Sequence, residues 1–166
     1  MSDAVVRSLV PGEEAEVARI TVAAYAAEGY LVTDDPYASV LADVGSRAQD
    51  AEVWVAELDG RVVGTVTWCA PGSVYREVST TDDQAEFRML AVDPQVRRQG
   101  VAQVLVDACL ARARADGVRE VLLCSLPEMV PAHGLYQRLG FVRAPELDWS
   151  PRESLLLWAF RLPLHP

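Results

Sequence analysis

The chain has 166 residues, 51% hydrophobic and 23% charged, a balance that suits one globular domain and excludes general disorder. Its 24 Asp and Glu against 15 basic residues leave a net charge of -9, which repels nucleic-acid phosphates. All of those basic residues are Arg, because Lys does not occur, and Asn is absent as well.

Alternation through Val5, Arg7 and Leu9 predicts a first strand, stopped by Pro11-Gly12. Glu13 and Glu14 then suit a helix start, and Val17, Ile20, Ala24 and Ala27 share one helical face up to Gly29. Residues 29–36 read as a loop, and 37–47 as a second helix. Val53 to Leu58, Asp59-Gly60, and Val62 to Cys69 predict a β-hairpin, since Asp-Gly supplies the positive φ angles of a tight turn. Residues 70–84 lack periodicity and read as loop.

Ala85 to Val92 predicts a strand stopped by Asp93-Pro94, and Val101 to Ala115 an amphipathic helix with Val104, Leu105, Ala108 and Cys109 inward. Gly117 ends it. Val118 to Cys124 reads as an apolar central strand, and Pro131 to Leu139 as a short helix. Phe141 to Arg143 opens another strand, and Ser154 to Leu162 is the last, after a turn at Ser150-Pro151. The order βααβββαβαββ describes a mixed α/β sheet in one domain, residues 1–166.

No apolar run approaches ~18 residues, so no membrane span is expected. Met1-Ser2-Asp3-Ala4 lacks the basic and apolar regions of a signal peptide. Three cysteines, Cys69, Cys109 and Cys124, in apolar surroundings fit reduced thiols in a cytoplasm. Lys and Asn use A-rich codons, so their absence suits a GC-rich bacterial genome. No Cys/His spacing suggests a metal. Trp54, Trp68 and Trp158 fall in strand patterns and read as core, whereas Trp149 sits in a loop. His133 reads as a surface or packing residue and His165 as frayed tail.

The informative segment runs from Glu86 to Gln103: a strand, a loop rich in Arg and Gly, then a helix. A helix N-terminus presents unpaired N–H groups that bind phosphate, and small residues at Gly100 and Ala102 admit a ligand to the backbone. Arg97 and Arg98 add charge. Two readings stand: a diphosphate cradle, or an ordinary strand–loop–helix connection. The P-loop and Rossmann glycine patterns are both absent.

Arg97-x-x-Gly100-x-Ala102, following Leu90-Ala91-Val92-Asp93-Pro94, resembles the acyl-CoA signature of the GNAT N-acetyltransferases. Ala132 to Phe141 is similar to a second GNAT segment, A-x-x-L-Y-x-x-L-G-F. The resemblance implies a GNAT-like fold and transfer of acetyl from acetyl-CoA to the primary amine of a small molecule by direct attack. It further implies that Leu90, Ala91 and Val92 pair with the pantetheine arm, and that Arg97, Arg98, Gln99, Gly100, Val101, Ala102 and Gln103 hold the pyrophosphate. Tyr136 would assist the departing thiolate, and a backbone N–H near Leu90 would polarise the carbonyl.

Glu86 coincides with the base of the family's histone acetyltransferase branch, and an amine must lose a proton before attack; the resemblance implies a base working through water, with a water chain and no single base as the alternative. The alternatives are that Tyr136 is a packing residue, and that Glu86 pairs with Arg88 or solvates a strand end. Met129 falls where many relatives place a CoA-contacting Asn, and Cys124 where the ribosomal-protein alanine acetyltransferase branch places a glutamate. Cys124 reads as a buried structural thiol rather than a nucleophile.

The acceptor pocket is expected from the Tyr25–Tyr37 and 70–84 segments. Their Glu28, Asp34, Asp35, Glu77, Asp82 and Asp83, interleaved with Tyr30, Tyr37 and Tyr75, suit a cationic amine or simply solvate the surface. An idle acyl-CoA sensor and a protein or peptide N-acetyltransferase remain alternatives, and the oligomer stays open, a homodimer included.

Overall fold

The computed structural model describes residues 2–31 and 34–164; the expectation for His165 lies outside them. Among the described residues there are eight strands and five α-helices, with strand order β1-β2-β3-β4-β5-β8-β6 and β7 paired to β8. The chain divides into two compact units, Met1–Trp68 with Met89–Cys109, and Cys69–Arg88 with Leu110–Pro166.

In the first unit, β1 (Val5–Ser8) pairs antiparallel with β2 (Glu52–Leu58), which turns into β3 (Arg61–Cys69). Asp59 and Gly60 take φ of 51° and 76°, the two left-handed residues of a type I′ hairpin turn. Trp54 and Trp68 are diagonal neighbours on one face of that hairpin, stacked with centroids 5.6 Å apart. α1 (Glu14–Ala27) begins with Glu14 and Glu16 in its first turn, where negative charge opposes the helix dipole. Val17 of α1 packs with Val44, Val53 and Val55 in a dry cluster.

The expected helix over 37–47 is two helices, α2 (Tyr37–Ala42) and α3 (Val44–Asp50). Asp43 breaks the run, because its carboxylate accepts from Ser46 N–H at 3.2 Å and caps α3. Arg47 is buried, and its Nη1 donates to the Val40 and Leu41 carbonyls, satisfying the end of α2.

β4 (Gln84–Val92) contributes its first residues to the second unit and its last to the first. In the second unit it runs parallel to β5 (Glu120–Ser125), whose other edge pairs antiparallel with β8 (Leu155–Pro163). Between them in sequence lies α4 (Val101–Ala115), which buries Leu105 and Cys109 as expected, with Val101, Val106, Leu110 and Ala113 besides. α5 (Val130–Arg138) and β6 (Val142–Arg143) follow.

Ser150-Pro151 is not a turn. It lies inside β7 (Trp149–Arg152), and the turn falls one step later, at Glu153 and Ser154, where Ser154 has φ of 64°. β7 pairs with β8 alone, through an irregular register that leaves room for a proline lacking N–H. Trp158 is half-buried rather than core, lying between Arg143 and His133.

Candidate active site

Met89 interrupts β4 with φ of 54°, a left-handed residue inside a strand, and the extended backbone of Leu90, Ala91 and Val92 follows it. Asp93 N–H then donates to the Val63 carbonyl at 2.8 Å. The buried Asp93 carboxylate accepts from Gln95 N–H at 3.0 Å and from Arg19 Nη2 at 3.0 Å; these bonds, the first above all, hold its pKa below the usual range. That cap starts the short helical turn Pro94–Val96.

Arg98 and Gly100, with φ of 63° and 77°, then swing the chain into α4. Where that helix begins, Val104 N–H donates to the Gly100 carbonyl at 3.1 Å. The N–H groups of Val101, Ala102 and Gln103 precede any acceptor four residues back, so their direction along the axis suits an anion. Gly64 lets this helix start approach β3: a Cβ there would stand 2.9 Å from Val101 Cγ1 and 3.2 Å from the Ala91 carbonyl oxygen. The arrangement fits a diphosphate. Arg97 is half-exposed and ion-paired with Glu28, a partner the sequence did not reveal.

In the second unit, the β4–β5 ladder holds Gln84↔Glu120, Ala85↔Val121 and Glu86↔Leu122, and no pair follows at Phe87 or Arg88. The strands part beside Glu86. This residue has no exposed surface, and its Oε1 accepts from Val78 N–H at 3.1 Å and Ser79 N–H at 2.9 Å. Its Oε2 is buried without a hydrogen-bond partner, and so is Ser79 Oγ. A buried carboxylate oxygen with no donor costs free energy and is expected at a site that receives a donor from a ligand.

Arg88 does not take Glu86. Its Nε meets Glu77 Oε1 at 2.9 Å, its Nη1 donates to the Tyr75 carbonyl at 2.9 Å, and its Cζ lies 4.4 Å over the Tyr75 ring. Burial pushes the Glu77 carboxyl up, with Arg88 opposing and Glu86 adding to the rise. Glu77 and Tyr75, both in the segment expected to meet the acceptor, engage the chain's own cation. Asp83 likewise pairs with Arg119, at 2.8 Å, while Tyr30 and Tyr37 pack on Tyr25.

Tyr136 is buried in α5 with ring centroids about 6 Å from those of Phe87, Phe141 and Phe160. Successive strand residues face opposite ways, so Phe87 directs its ring to Tyr136 while Glu86 faces the other side of β4. His133 is a packing residue, its Nε2 3.0 Å from both Ser125 Oγ and the Leu126 carbonyl and its ring against Trp158 and Phe160. Cys124 is half-buried, and burial raises its thiol pKa far above neutrality. Cys69 is pushed up to about 12 by the same cause. Neither thiol is activated for attack. Met129 begins α5 without a side-chain cap. Among the described residues, no group of three or more His, Cys, Asp or Glu could hold a metal ion, and no helix is long and apolar enough to cross a membrane.

Residues 17–141 match the Acetyltransferase (GNAT) family. The chain belongs to that family. The mycothiol acetyltransferase of Cellulomonas flavigena is 29% identical over 156 residues, covering 88% of this chain and 43% of that protein. N-acetyltransferase 8B of Homo sapiens is 34% identical over 113 residues, covering 68% and 45% respectively. The chain therefore spans less than half the length of these relatives.

Among solved structures, a GNAT-family acetyltransferase from Staphylococcus aureus Mu50 has a TM-score of 0.74 at 13% identity, covering 98% of this chain and 99% of its own. The yncA protein of Salmonella typhimurium, solved with its cofactor acetyl-CoA, has a TM-score of 0.69 at 18% identity, covering 98% and 94%. Both share the GNAT fold. The Arg88–Glu77 pairing and the Met89 kink were not legible in the sequence, since nothing in an aperiodic loop says which strand residue it will cover.

Proposed function

We propose that the protein transfers acetyl from acetyl-CoA to the primary amine of a small molecule, with Glu86 as the general base. The observation that carries this reading is Glu86 Oε2, a buried carboxylate oxygen lacking a donor where β4 leaves β5. An ammonium arriving there has a hydrogen-bond acceptor already aimed and water already excluded.

Acetyl-CoA supplies an acyl thioester, at whose carbonyl carbon the C–N bond forms as the C–S bond breaks. Glu86 receives the proton that the ammonium must lose before its nitrogen attacks. Tyr136 donates a hydrogen bond from the opposite side of β4, where a departing sulfur needs one. The backbone N–H groups of Arg98 to Gln103, with Arg97, hold the pyrophosphate, and Leu90 to Val92 hold the pantetheine arm as an added strand.

The relative named mycothiol acetyltransferase supports a small-molecule acceptor. A panel of primary amines with acetyl-CoA, followed by thiol release, tests the reading. Turnover of at least one free amine is expected. Turnover of peptides alone would replace the small-molecule assignment, and no stabilisation by excess acetyl-CoA in thermal unfolding would remove the co-substrate.

A further inference from the structure

Glu86 does not aim itself. Its free oxygen has a fixed direction only because Val78 and Ser79 hold the other one, and those two N–H groups belong to an irregular segment with no ladder of its own. That segment is tied down immediately upstream. Arg88 reaches it at the Tyr75 carbonyl, the Tyr75 ring and the Glu77 carboxylate, three contacts within three residues.

We propose that Arg88 is a positioning residue for Glu86, acting through residues 75–79. This rests on the reading of Glu86 as the base. Arg88 lies two residues from Glu86, on the same face of β4, yet its guanidinium goes to the loop rather than to the carboxylate it neighbours. The path is short: Arg88 fixes Tyr75 and Glu77, the next two residues present their N–H groups, and both converge on one oxygen of Glu86.

The planar fork of Arg suits this task. Nε and Nη1 serve two acceptors at once, which an ammonium on a flexible stem does not reproduce. The Arg88 and Glu77 side chains are only 15% and 13% exposed, so this pair is unlike a weak surface bridge. Removing Arg88 leaves the Glu77 carboxylate partly buried without its cation, and the segment is expected to move toward water, taking Val78 and Ser79 with it.

The test combines amide exchange with a double-mutant cycle on the full chain. In R88M, exchange at Val78 and Ser79 N–H is expected to speed up about tenfold or more, a local opening rather than global unfolding. With acetyl-CoA and the best amine of the panel, R88M is expected to lower kcat about tenfold while the KM for acetyl-CoA stays within about twofold. In the E86Q background the same change is expected to alter kcat less than about threefold, because a residue acting through Glu86 has nothing left to position.

R88K, which keeps the charge without the fork, and E77Q, which keeps an acceptor without the charge, are expected to fall between. They also carry the cycle if R88M does not fold. Equal loss in both backgrounds, or unchanged exchange at Val78 and Ser79, would overturn the positioning role while leaving Glu86 as base. Wild-type turnover in E86Q would instead overturn the base itself. If no amine is turned over, the exchange measurement alone decides.

Discussion

Glu86 and Tyr136 address β4 from opposite faces. The Tyr136 ring packs against Phe87, the residue next to Glu86, while the Glu86 carboxylate turns the other way to Val78 and Ser79. Strand alternation makes this separation unavoidable for consecutive residues. Under the proposed roles, Glu86 takes a proton from the amine and Tyr136 gives a hydrogen bond to the sulfur, so their removal should have separable effects.

Glu86→Gln should lower kcat by about 100-fold, the lower end for loss of a general base. The amide oxygen can still accept from Val78 and Ser79, so the fold should stand. Because Oε2 has no donor in the folded protein, replacing its charge should leave the unfolding temperature unchanged or higher. A variant with near-normal kcat at saturating amine would remove Glu86 from the chemistry.

Tyr136→Phe should lower turnover about tenfold to 100-fold, with acetyl-CoA affinity nearly intact. A Phe ring fits the surrounding cluster of Phe87, Phe141 and Phe160, which leaves packing out of the comparison. Turnover equal to wild type would return Tyr136 to a packing role.

The hairpin and α4 were legible because their signals are local: Asp59-Gly60 determines a turn, and a helical stripe determines a helix. The break at Asp43 was not, because the same residue is tolerable inside a helix and favourable as a cap, and only tertiary packing of Arg47 decides. Pro151 argued against β7 until the strand proved to be an edge with an irregular register. Around the candidate site, the strand–loop–helix run from Glu86 to Gln103 was readable as a contiguous motif. The partners of Glu86, Arg88 and Arg97 lie 7 to 69 positions away in aperiodic or distant segments, where sequence carries charge but not direction.

His133 should make stability depend on pH. Burial holds its pKa below 6.5, with the Leu126 carbonyl pulling the other way. Between that depressed value and 6.5 the unfolded chain binds more protons, so stability falls as pH drops through this window. Denaturant unfolding at pH 7.5 and about pH 5.5 should show wild type losing more than His133→Gln. Glu77, with its raised pKa, works in the opposite direction but equally in both proteins. Equal losses in the two proteins would show that His133 takes up its proton alike in the folded and unfolded states.

Gly64→Ala should destabilise the first unit by about 1–3 kcal/mol, the usual cost of overpacking. The added Cβ would lie 2.9 Å from Val101 Cγ1, which can rotate, and 3.2 Å from the Ala91 carbonyl, which cannot without shifting β4. Since both neighbours belong to the proposed cofactor cradle, acetyl-CoA affinity should weaken alongside stability. Loss of stability with affinity unchanged would separate Gly64 from the cradle.

Glu28→Ala should tighten acetyl-CoA binding. Arg97 is ion-paired with Glu28, and a phosphate arriving at Arg97 must compete with that carboxylate. Both side chains are 40% exposed, so the pair is worth little in stability, under about 1 kcal/mol, and its removal should not disturb folding. The gain in affinity is therefore bounded at about fivefold. It should be largest at low ionic strength and vanish near 1 M salt, where the screening length falls to about 3 Å. Isothermal titration of wild type, E28A, R97A and E28A/R97A at two salt concentrations distinguishes the outcomes. If Arg97 holds phosphate, R97A weakens binding, and E28A strengthens it only while Arg97 is present. If E28A and E28A/R97A shift affinity alike, Glu28 acts by bulk charge and Arg97 has no part in holding the cofactor.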